Sequence, residues 1–501
     1  METLDYLLAA LTPFNLLLAI GGVIAGTVIG ALPGLTATMA VAVLVPFTFT
    51  MEPAAALIVL GAIYTGAIYG GAYAAILLNT PGTPSAIATT FDGYPMARRG
   101  DGDLALTVAC LASVIGGLVG AGFLWLLAPP MATVALKFGP VEYFWLGLFG
   151  LTLIASLGEG STIKGLIGGC VGLLLSMIGV AEVGGDIRFV GDFKPLLGGI
   201  DVIAALIGLY CIPVLIDLVA TPVAHLDSGG RISSFRLAEA IHIVKNAKFN
   251  LARSSVIGTV VGILPGAGGS VASLISYSEA KRASKRRAFF GKGEPDGVLA
   301  TESANNATVG GGFIPTLVLG IPGTPPDAII LGALMVQGIR TGPTLFTQQA
   351  PIVYTFIFGL LLATILMLPI GLLIGRFAFR SLVAIPKSVL VPSVALLTIL
   401  GSYAVHNNID EVQQMVILGV LAWCVGRLGF SASPIVLGLI LAAIAERGFV
   451  QGNLIGNARG SVMAEFFARP ISLGIIFFIV LGLLWPLWSN YQARKAGEAH
   501  D

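Results

Sequence analysis

Four short polar phrases interrupt the apolar stretches of this 501-residue chain, and they fall into two matched pairs. Pro-Gly-Thr-Pro stands at Pro81–Pro84 and again at Pro322–Pro325. Upstream, Gly26-Thr-Val-Ile-Gly-Ala-Leu-Pro-Gly34 is matched almost letter for letter by Gly258-Thr-Val-Val-Gly-Ile-Leu-Pro-Gly266. Proline lacks its N–H and stops a helix, and the glycine beside it lets backbone amides turn outward. The helix that restarts presents unpaired N–H groups and the positive end of its dipole. Such an end binds an anion, a carboxylate in particular, without a buried Arg. Hydroxyls and amides cluster at the same places. The candidate substrate-binding residues are therefore Pro33, Gly34, Thr36 and Thr38 at the first break, and Asn79, Thr80, Gly82 and Thr83 at the second. In the second half they are Gly266, Gly268, Gly269 and Ser270, then Asn305 and Asn306, and finally Gly323 and Thr324. A single motif of this kind is more often a kink in packed helices. Four at paired positions favour a site built from broken helix ends, as in secondary transporters.

Carboxylates inside apolar sequence are expensive and point to proton or cation handling. Asp92 and Asp327 follow the two Pro-Gly-Thr-Pro phrases, and Glu302 sits in the oxygen-rich run Glu302-Ser-Ala-Asn-Asn306. These three are the coupling-ion candidates, with helix capping as the competing reading for Asp92 and Asp327. Glu142, Glu159, Asp410 and Glu411 are the remaining acids of interest, the last two expected in a solvated loop beside His406. Gly266-Ala-Gly-Gly-Ser270 lacks the Gly-Lys-Ser/Thr ending of a phosphate-binding loop. Cys110, Cys170, Cys211 and Cys424 are scattered singly, and the four His residues are equally dispersed. That spacing supports neither a metal site nor a catalytic dyad. No catalytic set, bound metal or cofactor is expected, and the chain does not read as an enzyme.

The elements that hold these residues must be membrane helices. The chain is 56% hydrophobic and 11% charged, which excludes an ordinary soluble globular protein. Runs such as Leu104–Leu127, Ile200–Val219 and Phe356–Ile374 approach the roughly 20 residues a spanning helix needs. The expected fold is an all-α polytopic membrane protein of about 11–12 hydrophobic elements, some of them broken or re-entrant. A net charge of +1 leaves no basic surface for nucleic acid.

Charge orients the chain. No Lys or Arg precedes Arg98, whereas Lys281 to Lys292 is densely basic. By the positive-inside rule the N-terminus is expected in the periplasm and the C-terminus in the cytoplasm of a bacterial inner membrane. Loops after matching breaks differ in charge, and the sense reverses between the pairs: Glu52 and no base follow the first break where Lys281 to Lys292 follow the third, but Arg98-Arg99 follow the second where Arg340 alone follows the fourth. Two inverted-topology repeats would give that alternation. Ser254–Ser278, flanked by Arg253 and Lys281, is expected to enter and leave on one side, turning at Pro265. The expected organisation is a tail at 1–13, a first repeat at 14–222 and a cytoplasmic linker with an amphipathic helix at 223–253. A second repeat follows at 254–465, then a final helix at 466–490 and a tail at 491–501.

Gly-Ala-Leu-Pro-Gly-Leu-Thr-Ala-Thr, Leu-Leu-Asn-Thr-Pro-Gly-Thr-Pro-Ser-Ala, Leu-Pro-Gly-Ala-Gly-Gly-Ser and Ile-Pro-Gly-Thr-Pro-Pro-Asp-Ala together resemble one family. It is the large membrane subunit of the tripartite tricarboxylate transporters, and the resemblance runs from about Phe14 to at least Phe449. The resemblance implies a permease driven by an ion gradient, with Na+ or H+ as the coupling cation. It also implies a small integral membrane subunit, a periplasmic solute-binding protein and an organic di- or tricarboxylate substrate. The alternative is a stand-alone carboxylate carrier or anion channel that uses no binding protein.

Overall fold

Prolines open the helices of this chain, and small residues let them touch. The computed structural model describes residues 2–157, 161–181, 183–192, 194–220, 236–379 and 384–497. Within them the helices are α1 (Glu2–Ala10), α2 (Pro13–Ala31), α3 (Ala37–Leu44), α4 (Pro53–Leu78), α5 (Ile87–Arg98) and α6 (Gly102–Ala135). Next come α7 (Pro140–Leu157), α8 (Thr162–Ser176), α9 (Val202–Ala220), α10 (Leu237–Asn246), α11 (Lys248–Ile263) and α12 (Gly268–Ala283). Then follow α13 (Pro295–Leu319), α14 (Pro325–Val336), α15 (Leu345–Gln348) and α16 (Ala350–Leu373). Five further helices run over Lys387–His406, Ile409–Arg427, Ala432–Ala458, Val462–Phe467 and Pro470–Gly497. Proline fills the first position of α2, α4, α13 and α14, where its missing N–H would have had no partner anyway. Eight of the described helices are long and apolar enough to cross a membrane, and four shorter helices are also apolar. This is an all-α polytopic membrane protein.

The chain divides into two compact units. The first comprises Met1–Ala132 and Tyr210–Asn408, and the second Thr133–Leu209 and Ile409–Asp501. Each unit therefore draws on both halves of the sequence, whereas the expected repeats divide the chain end to end.

In the first unit α2 packs along α4, and α11 packs along α13. The contacts are backbone on backbone. A methyl on Gly26 would stand 2.1 Å from Ile63 O, and one on Gly30 would stand 2.2 Å from Ala67 O. On the other pair, a methyl on Gly258 would stand 2.2 Å from Ala304 O. Glycines four apart on one face are how membrane helices approach this closely. α4 and α13 end alike, with a left-handed residue, Asn79 (φ 53°) or Gly320 (φ 70°), leading into Pro-Gly-Thr-Pro. The glycines of those tetrapeptides then make the same contact twice. A methyl on Gly82 would lie 2.3 Å from Gly30 O and 2.9 Å from Gly71 Cα; on Gly323 it would lie 2.5 Å from Gly262 O and 2.8 Å from Gly312 Cα.

α13 carries Glu302, Ser303, Asn305, Asn306 and Thr308, yet every residue from Gly297 to Val318 is buried. Its polar groups face protein and not lipid, the condition under which a membrane protein tolerates them. α11 and α12 form a helical hairpin about Pro265: Ser276 Oγ donates to Ser254 O at 3.5 Å, eleven residues on either side of the proline. α10 is amphipathic, burying Ala240 and Val244 and exposing Glu239 and Lys245, at the end of the segment expected to hold such a helix. Of the rest of that segment, 223–235 lies outside the described residues, as does Glu159, while 248–253 already belongs to α11.

In the second unit Ala432–Ala458 packs against α7 and α8. Glu142 is buried there, paired with Arg469 Nε at 2.9 Å and accepting from Ser472 Oγ at 3.1 Å. A short antiparallel pair, β1 (Gly179–Val180) and β2 (Ile187–Arg188), completes the unit, with Arg188 bridged to Glu446 at 2.8 Å. Asp410 and Glu411 occupy the first turn of the Ile409–Arg427 helix, and Glu411 is buried, which corrects the expected solvated loop. Acids favour a helix N-terminus because they complement its dipole.

Candidate functional site

All four breaks lie in the first unit, beside α4 and α13. The second break meets the third. α12 packs against the 3-10 turn Pro84–Ala86 that leads into α5. Between them lies Asn305 of α13: a methyl on Gly269 would stand 2.4 Å from Asn305 Oδ1 and 2.9 Å from Ser85 Cβ. Asn305 is fully buried, and neither its Oδ1 nor its Nδ2 has a hydrogen-bond partner. An unpaired carboxamide buried in protein costs free energy unless something visits it. Thr83 and Ser85 hydroxyls, 3.0 Å apart, flank the same turn.

The first break meets the fourth. α3 packs against α14. Thr36 caps α3 itself, accepting from Met39 N–H at 3.1 Å. Thr324 and Asp327 form a capping box on α14, in which Asp327 Oδ2 accepts from Thr324 N–H at 2.9 Å and from Thr324 Oγ1 at 2.6 Å. Since the threonine hydroxyl spends its proton there, Tyr64 OH of α4 must be the donor in its 2.9 Å contact with Thr324 Oγ1. Asp327 is fully buried and its Oδ1 has no hydrogen-bond partner. A further bond joins breaks three and four directly, from Gly266 N–H to Gly323 O at 2.9 Å. At the centre Thr65 of α4 donates to Asn306 Oδ1 of α13 at 3.2 Å, while Asn306 Nδ2 has no partner.

Other sequence candidates sit differently. Asn79 is exposed at the left-handed cap of α4, and Gly34, also exposed with φ 89°, turns the chain between α2 and α3. Thr80 Oγ1 donates to Leu78 O at 3.3 Å. Pro33, Thr38, Gly268 and Ser270 are half-buried around their turns.

The three acids differ in their engagement. Asp92 of α5 holds a loop: its Oδ1 accepts from the N–H groups of Gly291, Gly293 and Glu294, each at 2.8 Å, and its Oδ2 from Tyr277 OH at 3.0 Å. Arg99 closes the same clamp through the carbonyls of Lys292 and Gly293. Burial pushes the neighbouring Glu294 carboxyl up, partly offset by Arg286. Glu302 accepts from Thr89 Oγ1 and, at 3.1 Å, from Ser113 Oγ, tying α13 to α5 and α6. Among the described residues neither Glu302 nor Asp327 forms an ion pair with a Lys or Arg.

Sequence reasoning passed over Tyr64, Thr65 and Ser85. A signal for the first two was available. Aligning the repeated tetrapeptides places Tyr64 opposite Asn305 and Thr65 opposite Asn306.

A family model described as the tripartite tricarboxylate transporter TctA family matches residues 16–437. The chain is 36% identical over 468 residues, 93% of its own length and 92% of the relative's, to an uncharacterized 52.8 kDa protein in the TAR-I ttuC' 3' region of Agrobacterium vitis. It is 35% identical over 230 residues to an uncharacterized protein in the TAR-II ttuC' 3' region of the same organism, covering 45% of this chain and 94% of that one. No solved structure matches at a comparable level.

Proposed function

Because this chain belongs to the tripartite tricarboxylate transporter TctA family, we propose that it is the permease subunit of an ion-gradient-driven importer of organic di- or tricarboxylates. Its partners in this reading are a small integral membrane subunit and a periplasmic solute-binding protein, and its place is the bacterial inner membrane.

The observation that carries the reading is the gathering of broken helix ends around α4 and α13 with Asn305 unpartnered among them. Helix N-termini supply N–H groups and positive partial charge for carboxylates. Free carbonyls and the side-chain oxygens of Glu302 and Asp327 suit a small coupling cation, Na+ or H+. Asp92 serves this reading least, since all its oxygens are engaged in holding the loop at Gly291–Glu294. The transport cycle requires no covalent chemistry. It requires that the substrate and cation together satisfy polar groups that neither satisfies alone, so that the loaded site is less costly to carry through the membrane.

Uptake of labelled di- and tricarboxylates into cells expressing the chain, with and without its two partner proteins, tests the reading. Uptake that needs all three components and collapses with the ion gradient is expected. Uptake by the chain alone would favour the stand-alone carrier.

A further inference from the structure

We propose that the two pairs of restarted helices divide the work of the site, the ends gathered at Asn305 taking the substrate's carboxylate and the start of α14 taking the coupling cation at Asp327. The proposal rests on the reading of the chain as a carboxylate importer and assigns chemistry within it.

The four restarts are not chemically equal. Thr36 caps α3 and the Thr324–Asp327 box caps α14, so these two ends bring their own acceptors. No side chain caps the Pro84 turn, α5 or α12. Packing then sorts them, because α3 lies against α14 while α12 lies against the Pro84 turn. The self-capped ends are together, and the uncapped ends are together.

Beside the uncapped pair stands a buried carboxamide with neither of its polar atoms paired. Asn305 is 0% exposed and has no partner for either polar atom, and its Oδ1 lies against Gly269 and near Ser85. Uncapped N–H groups and the positive ends of two helices present donors, and the Asn305 carboxamide, held by no bond of its own, is free to turn its N–H to the same place. The carboxylate nearby, Glu302 one helical turn before Asn305, has both oxygens engaged, by Thr89 and Ser113. The self-capped pair presents the opposite. Asp327 already occupies the place a substrate carboxylate would take at α14, and a second carboxylate there would meet like charge. Asp327 Oδ1 has no partner and its carboxylate no Lys or Arg in an ion pair among the described residues, so a buried negative charge at this point calls for a proton or Na+. The position equivalent to Asp327 in the first half is Ala86, so the restart after Pro84 brings no acid of its own.

The test uses the chain reconstituted with its two partner subunits in vesicles, with a panel of labelled di- and tricarboxylates as probes. Two modes are compared: exchange across vesicles without any ion gradient, and accumulation driven by an Na+ or H+ gradient. Asp327→Asn keeps the capping oxygen and removes the charge, so driven accumulation should be lost and the exchange that remains should no longer vary with Na+ or pH. Asn305→Asp and Asn305→Ala should raise KM for exchange by about tenfold or more, the factor that each 1.4 kcal/mol of binding supplies. Insertion of each variant is checked by size-exclusion of the detergent-extracted protein. Exchange by both Asn305 variants at the wild-type KM would overturn the proposal, as would driven accumulation or a wild-type response to Na+ and pH in a well-folded Asp327→Asn. Absence of any carboxylate exchange by the wild type would instead overturn the importer reading on which it stands.

Discussion

Thr65 donates a hydrogen bond to Asn306 at 3.2 Å, and the two residues are 241 positions apart. The same 241 positions separate Gly71 from Gly312, Gly82 from Gly323 and Asn79 from Gly320, pairs that make the same contact or hold the same cap. A residue that touches its own counterpart lies where a two-fold operation maps a structure onto itself. A local two-fold axis is therefore expected to pass between Thr65 and Asn306.

That axis should lie in the membrane plane, because the more basic of the two matching loops follows the third break in one pair and the second break in the other. Single cysteines introduced beside Arg98 and beside Arg340 should then react with an impermeant reagent from opposite faces. Labelling from one face would mean an axis along the membrane normal.

The close helix pairs give a stability prediction. Gly30→Ala and Gly258→Ala each set a methyl 2.2 Å from a backbone carbonyl. Each should cost about 1–3 kcal/mol, the usual penalty of overpacking. Gly21→Ala, on the same helix as Gly30 but with nothing within 4 Å, should be harmless. Thermal-shift measurement on the extracted protein separates the two cases, and equal melting of all three would remove the packing argument.

Asn79 tests backbone against side chain. Its φ of 53° is the conformation Gly320 holds in the other half. Asn79→Gly should fold at least as well as wild type, whereas Asn79→Ala should lose about 1–2 kcal/mol from forcing a left-handed backbone. Transport by Asn79→Gly then reports the amide alone. Full activity would show that Asn79 matters only as a helix cap.

Asp92 should hold the loop after α12 in place. Removing its carboxylate as Asp92→Ala strands three backbone N–H groups. Limited trypsin digestion should then cut at Lys285, Arg286 or Arg287 markedly faster than in wild type. An unchanged cleavage rate would mean that Arg99 and packing suffice.

Much of this was legible in the sequence because proline and glycine act locally. The breaks at Pro33, Pro81, Pro265 and Pro322 follow from residues that cannot continue a helix, and mean hydropathy of +0.93 fixes the membrane class. Which break meets which was not legible, since it depends on contacts more than 180 residues apart, such as Gly269 with Ser85. The division into two units was hidden for the same reason. α13 shows the limit most clearly: its polar run reads as a poor membrane helix, and only its complete enclosure by protein explains it. Asp92 and Asp327 looked alike beside their tetrapeptides, yet one ties down a loop and the other caps a helix with an oxygen to spare.

The most direct test is an experimental structure of the chain with a di- or tricarboxylate bound. Density for a carboxylate contacting Asn305, Ser85 and the start of α12 is the predicted result. A substrate bound away from all four breaks, with Asn305 still unpartnered, would contradict it.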